Sequence, residues 1–222
     1  FDEVSIHLDR NDKDDPNTNE EAMAALRINV KSKDKELVGR LFSAKIIELA
    51  LSNYPGFFAG GGVKSGGPVL IYWPALVDSK HINEVVHFNG KSKELKPTSQ
   101  LNFEEIYYQT EPVKIPDAPK GETSHVPLGT LFGARSGDKG GCANLGVWAK
   151  DLDAFAFLSS FLTIEKLKKL MPDLKEFKIE RYDLPNILSL NFYIHDILED
   201  GVSSNSRKDA QAKSLGEYLR AK

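Results

Sequence analysis

The stretch Ala134-Arg135-Ser136-Gly137-Asp138-Lys139-Gly140-Gly141-Cys142-Ala143-Asn144 concentrates more anion-binding and proton-transfer chemistry than any other part of the sequence. Gly137, Gly140 and Gly141 permit positive φ and leave backbone N–H groups uncovered, the makings of a concave anion nest. Arg135 adds a permanent planar cation and Lys139 a mobile one, so a phosphate or carboxylate would be stabilised beside them. Asp138, between the two cations, can orient Lys139 or act as a general base, and Ser136 can donate a hydrogen bond. The catalytic candidates are therefore Ser136, Asp138 and Lys139, with Arg135 and the glycines as ligand contacts. The plainer reading is a tight connection between two strands in which Asp138 pairs with Arg135. Seven such residues exceed what a simple turn needs, which favours the ligand-binding reading. Cys142 lies near both cations, which would favour its thiolate, but it has no evident histidine partner in the sequence.

A second group, Glu180-Arg181-Tyr182-Asp183-Leu184-Pro185-Asn186, repeats the combination of cation, phenol and carboxylate, and Arg181 could clamp a further anionic group. Asp183 could equally cap a helix that opens at Pro185. Asn191 falls on an otherwise apolar helical face and reads as structural. Ser203 to Asp209, with Arg207 inside it, precedes the last helix and offers hydroxyls and N–H groups as another anion seat or as a solvated cap. The histidines His7, His81, His87, His125 and His195 lack metal-ligand spacing, so no metal site is expected.

These residues need elements to hold them. In the second half the pattern predicts a strand over 126–134, the glycine-rich loop at 135–141, a strand over 144–150, helices over 151–162 and 163–172, a strand over 176–183, a helix from Pro185 to Gly201 and a last helix over 208–220. Thr163 and Asp151 or Asp153 suit helix N-termini. The first half reads as strands at 1–8 and 25–30, a helix over 35–52 capped by Asp34, a mobile glycine segment at 60–67, and strands at 69–73 and 82–88. A phosphate-loop reading of Gly60–Gly67 fails on spacing. The proline-rich stretch 111–124 is an extended linker, so domains are expected at 1–118 and 122–222.

With 222 residues, 41% of them hydrophobic, and no run of about 18 apolar residues, the chain is expected to be soluble. A net charge of −3 without basic blocks among aromatics argues against nucleic acid, and the second half is slightly the more basic. The single cysteine points to a reducing intracellular compartment, with cytoplasm favoured over mitochondrion. The start at Phe1 lacks Met and reads as internal, so an upstream part of the same protein, or a separate chain carrying it, is an expected partner.

Around its loop the sequence resembles the acyclic terpene utilisation (AtuA-like) family, through Arg135-Ser136-Gly137-Asp138-Lys139-Gly140 followed by Ala143-Asn144 and Gly146-Val147. The likeness continues in order through Arg181-Tyr182-Asp183-Leu184-Pro185-Asn186, Leu190-Asn191-Phe192, Gly201-Val202 and Ser206-Arg207-Lys208-Asp209 to Lys213. In the first half it rests on Asp15-Pro16, Val38-Gly39-Arg40, Tyr54-Pro55-Gly56-Phe57 and Tyr72-Trp73-Pro74-Ala75. It implies an α+β chain: a ferredoxin-like open sandwich at the C-terminal end, preceded by the α/β tail of a larger domain. It also implies a role in breakdown of branched isoprenoid acids as acyl-CoA thioesters, for which an enzyme of hydratase or lyase type is one form and a non-catalytic assembly subunit of an oligomer the rival. Asn144, Arg181 and Arg207 join the loop as site candidates by motif position. No cofactor is evident beyond the coenzyme A moiety of such a substrate.

Overall fold

Alternating side chains from Glu3 to Arg10 and from Ala24 to Lys31 build the first hairpin, because successive strand residues face opposite sides. The computed structural model describes residues 1–50, 54–59, 65–95, 113–122 and 124–222. These divide into two units: 1–70 with 204–208, and 71–203 with 209–222. The Gly60–Gly67 segment lies largely outside the described residues, as do the ends of the linker expected at 111–124; its residues 113–122 have no regular structure.

In the first unit β1 (Glu3–Arg10) pairs antiparallel with β2 (Ala24–Lys31), matching Val4 to Val30, Ile6 to Ile28 and Leu8 to Leu26. Ser206 and Lys208 meet the other face, where Ser5 donates to the Ser206 hydroxyl at 2.9 Å and Lys208 reaches Asp9 at 3.4 Å. The Asp34 carboxylate accepts from the Glu36 N–H at 2.9 Å, as its capping role requires. Helical structure begins at Lys35, as expected; it is interrupted within Leu37–Leu41 around Gly39, whose ψ of −121° is not helical, and continues as α1 over Phe42–Ala50.

The second unit begins at Ile71, within the strand expected over 69–73. Residues 69–73 form no strand; the Tyr72 N–H instead donates to the Asp200 carbonyl at 3.0 Å. β3 (Glu84–Phe88) and β4 (Lys91–Leu95) make a hairpin. The main sheet consists of β5 (Gly133–Lys139), β6 (Cys142–Trp148), β7 (Ile179–Leu184) and β8 (Ser189–Ile194) in the order β5-β6-β8-β7, antiparallel throughout. Between β6 and β7 come α2 (Leu152–Phe161) and α3 (Ile164–Leu170), whose first turns are capped by Asp151, accepting from the Ala154 N–H at 2.8 Å, and Thr163, accepting from Lys166 at 3.1 Å.

One face of this sheet is dry. Ala143, Leu145 and Val147 of β6 and Leu190, Phe192 and Ile194 of β8 are buried with Phe155, Leu158, Leu162, Leu167 and Met171 from the helical layer. Burying a side chain such as Phe192 fully contributes about 1.5–3 kcal/mol. Core on one side and a sheet face that the described residues leave without a helical layer on the other is the open-faced α+β sandwich expected.

The helix expected from Pro185 to Gly201 is not there. Pro185–Ile187 is a single tight turn, Leu188 takes φ 50°, and Ser189–Ile194 is a strand. Leu190, Phe192 and Ile194 are buried while Asn191 and Tyr193 are not, so a period of two, anchored by β-favouring residues, prevails over the helical spacing of Ile187, Leu190 and Ile194. The last helix is also shorter than 208–220: α4 spans Leu215–Arg220. Among the described residues no helix is long and apolar enough to cross a membrane.

Candidate functional site

The anion nest expected at 135–141 does not form, because Gly133–Lys139 is strand and its peptide groups are committed to the ladder with β6. Only Gly140 and Gly141 turn the chain, Gly140 at φ 64° with the Tyr72 ring lying over it, while the Gly141 carbonyl accepts from the Leu198 N–H at 2.8 Å. Strand geometry then sorts the motif onto two faces. Ser136 and Asp138 stand opposite Leu145 and Ala143, on the side of the core. Arg135, Gly137 and Lys139 stand opposite Gly146, Asn144 and Cys142, on the open side.

The core-side residues have structural partners. The Ser136 hydroxyl, 6% exposed, accepts from the Gly216 N–H at 3.0 Å and ties the start of α4 to β5. Gly216 is required there, since a Cβ would come within 3.2 Å of the Arg135 backbone nitrogen. Asp138 lies 3.5 Å from the Lys213 ammonium rather than pairing with Arg135, and the Lys139 ammonium donates to the Asp138 carbonyl at 2.9 Å. Arg181 likewise points to the helical layer: it donates to the Leu162 carbonyl and the Ser159 hydroxyl, both at 3.0 Å, and to Asp183 at 2.8 Å. The expected second anion clamp is thus a strap that receives the open C-terminal carbonyl of α2. Asp183 spends its carboxylate on that arginine. Arg207 belongs to the 204–208 segment of the first unit and is no part of this sheet.

The open side carries the remaining candidates in cross-strand rows. Arg135, Gly146, Asn191 and Tyr182 form one row; Gly137, Asn144, Tyr193 and Glu180 form the next. Asn144 donates through Nδ2 to Asn191 Oδ1 at 3.4 Å, so Asn191, assigned to a helix by its spacing, faces this surface from a strand. Gly146 and Gly137 present no side chain beside these residues, Gly137 itself being buried. A Cβ on Gly137 would stand 3.1 Å from the Lys213 ammonium and 4.0 Å from Asn144 Oδ1, which places that ammonium at the edge of the open face. The Arg135 guanidinium is exposed and, among the described residues, makes no hydrogen bond or ion pair. At one end Trp148 lies over Gly133 and, with Leu184, adds apolar surface, the two being 43% and 41% exposed.

The other end is a hydrogen-bonded cluster that sequence spacing does not disclose. His195 Nε2 lies 2.9 Å from Glu180 Oε1, Lys178 reaches the same oxygen at 3.0 Å, and the Tyr182 hydroxyl donates to Oε2. The Tyr182 hydrogen bond, with those of Lys178 and His195, holds the Glu180 carboxyl down to about 2. Tyr193 meets His195 edge to face at 4.9 Å, and its interaction with Cys142 is the main cause that raises its phenol to about 12. Period-two alternation applied to 189–195 would have found Tyr193 and His195 on the side of Asn191. Among the described residues no group of His, Cys, Asp and Glu is arranged to hold a metal ion.

A helical layer on one face and, on the other, a motif-bearing polar surface left uncovered by the described residues define an antiparallel α+β sandwich. Residues 126–222 match the AtuA ferredoxin-like domain, and residues 1–88 match the acyclic terpene utilisation family protein AtuA. The chain belongs to that acyclic terpene utilisation family. No curated protein and no solved structure matches it.

Proposed function

We propose that the open sheet face binds the carboxylate or coenzyme A thioester of a methyl-branched acyclic acid and that the protein serves in the breakdown of such acids. The observation that carries this reading is the Arg135 guanidinium, exposed and unpartnered among the described residues, beside Gly137 and Gly146, which present no side chain on that face. An anionic oxygen there would accept from Arg135, with Lys213 and the Asn144 amide within the same strip. The exposed Trp148 and Leu184 suit a short branched hydrocarbon, which gains by leaving water. The family name supports the substrate class.

Thermal unfolding with a 3-methyl-branched acyl-CoA, its free acid and coenzyme A alone tests the reading. A ligand held at about 100 times its Kd adds about 2.7 kcal/mol to the folded state. Losing a hydrogen bond to an ionised group costs about 1.5–3 kcal/mol, so Arg135→Ala and Lys213→Ala should each weaken binding by about tenfold or more with the fold intact. Variants that bind every probe as the parent does, yet change the oligomeric state, would assign the face to subunit assembly instead.

A further inference from the structure

We infer that the polar face of the β1–β2 hairpin holds a phosphate group, free or carried on a small ester, between His7 and Arg27. All the residues concerned lie in the first unit, so the inference stands apart from the reading of the open sheet face. This hairpin is turned inside out. Val4, Ile6, Leu8, Leu26 and Ile28 are exposed, whereas Ser5, His7 and Asp9 of β1 and Arg27 and Asn29 of β2 are half-buried on the opposite side. An antiparallel hairpin ordinarily shelters its apolar side, so shelter given to the polar side points to polar contents.

His7 and Arg27 are a direct cross-strand pair, close enough for both side chains to reach one ligand. His7 Nε2 and Arg27 Nε are both shut off from solvent and have no hydrogen-bond partner among the described residues. Buried polar groups are nearly always satisfied, and two adjacent exceptions mark a place built to receive an acceptor. The carboxylates of this side are engaged elsewhere: Glu3 accepts from Lys31 at 2.7 Å and Asp9 from Lys208 at 3.4 Å. The segment 204–208, marked in the sequence as a possible anion seat, touches the hairpin on either side of His7. Ser206 accepts from the Ser5 hydroxyl at 2.9 Å, which leaves its own O–H to donate, and Lys208 meets Asp9.

Arginine supplies only donors, and the imidazole supplies one more when Nε2 carries its hydrogen, so the ligand must accept. Arg27 can grip two oxygens of a phosphate through Nε–H and a terminal N–H, and His7 a third, with Ser206 and Lys208 near by. A tetrahedral oxyanion matches that spread of donors better than the two coplanar oxygens of a carboxylate. Lys31, Arg27 and Lys208 also outnumber Glu3 and Asp9, so the side is positive even with His7 neutral.

Inorganic phosphate titrated into the full chain tests the inference, read by a proton–nitrogen correlation spectrum of the histidine rings in which His7 is assigned by its loss in His7→Gln. The His7 Nε2 signal should move saturably with phosphate and not with acetate at equal ionic strength. Arg27→Met and His7→Leu should each weaken phosphate binding, measured by calorimetry, at least about tenfold, whereas His7→Gln, whose amide keeps a donor, should lose less. Without phosphate, Arg27→Met should unfold no earlier than the parent, because it sheds a buried donor that has no acceptor; an arginine with only a structural role would give the reverse. A nucleoside monophosphate that displaces phosphate, where the nucleoside does not, supports the site and assigns it to an ester; displacement by neither supports it for the free ion. A His7 signal in the folded parent that ignores phosphate, or that answers acetate equally, overturns the inference, as does unchanged phosphate affinity in Arg27→Met.

Discussion

Arg135 and Ser136 do unlike work because neighbouring strand residues face opposite sides of a sheet. Read as a loop, the stretch Arg135 to Gly141 pools its side chains into one nest; read as strand, it sends Ser136 and Asp138 toward α4 and the core and keeps Arg135 and Lys139 outside. Glu180 makes a prediction at this scale. Its folded pKa, about 2, lies below the usual carboxyl value near 4.3, so its contribution to stability is fully present above about pH 4.5 and is lost as pH falls toward 2. Thermal melts across that window should show a smaller acid-induced loss in Glu180→Gln than in the parent; equal losses would mean the cluster is not formed. Arg135, Gly137 and Asn144 were candidates from the motif, while Lys213 entered only as the last position of the family resemblance. The partnership of Glu180 with His195 was not legible, because the two are fifteen residues apart and only the pairing of β7 with β8 brings them together.

Two of the misread elements share one reason. Residues 133–139 and 189–194 each mix signals, glycines in the first and an i, i+3, i+4 apolar spacing in the second, and pairing with β6 decided both as strands. Local pattern carries no information about a partner strand, and a central strand such as β6 rewards extension on both its edges. The elements with their own start signals, α2 at Asp151 and α3 at Thr163, were readable because a cap is local chemistry. α4 is the opposite case, a six-residue helix too short to persist alone, held to β5 through Ser136 and Gly216. Ser136→Ala removes the acceptor of a buried N–H and should cost about 1–3 kcal/mol, read as a lower denaturant midpoint with unchanged slope, whereas a catalytic Ser136 would instead lose turnover at full stability.

For the whole molecule, the buried core of the described residues runs from Phe132 to Leu219, with Leu128 packed against it. A fragment of residues 124–222 should therefore unfold cooperatively, with far-ultraviolet circular dichroism and Trp148 fluorescence tracing one transition; two separated transitions would show that the sandwich depends on the rest of the chain. Composition alone reads 111–124 as a proline-rich linker, and the two family matches, 1–88 and 126–222, fall on either side of it, whereas the two compact units divide at Leu70 and Ile71. The return of 204–208 to the first unit was not visible, since nothing local in Ser204 to Lys208 names its partner strand.

The two-residue turn at Gly140-Gly141 makes the site obey a rule of parity. Because sides alternate along β5, dropping or adding one residue between Gly133 and Gly140 would carry Arg135 inward and bring Ser136 out, exchanging a cation for a hydroxyl across the whole surface. Chains that descend from the same ancestor can therefore change the length of this strand only in steps of two if they are to keep the same chemical face.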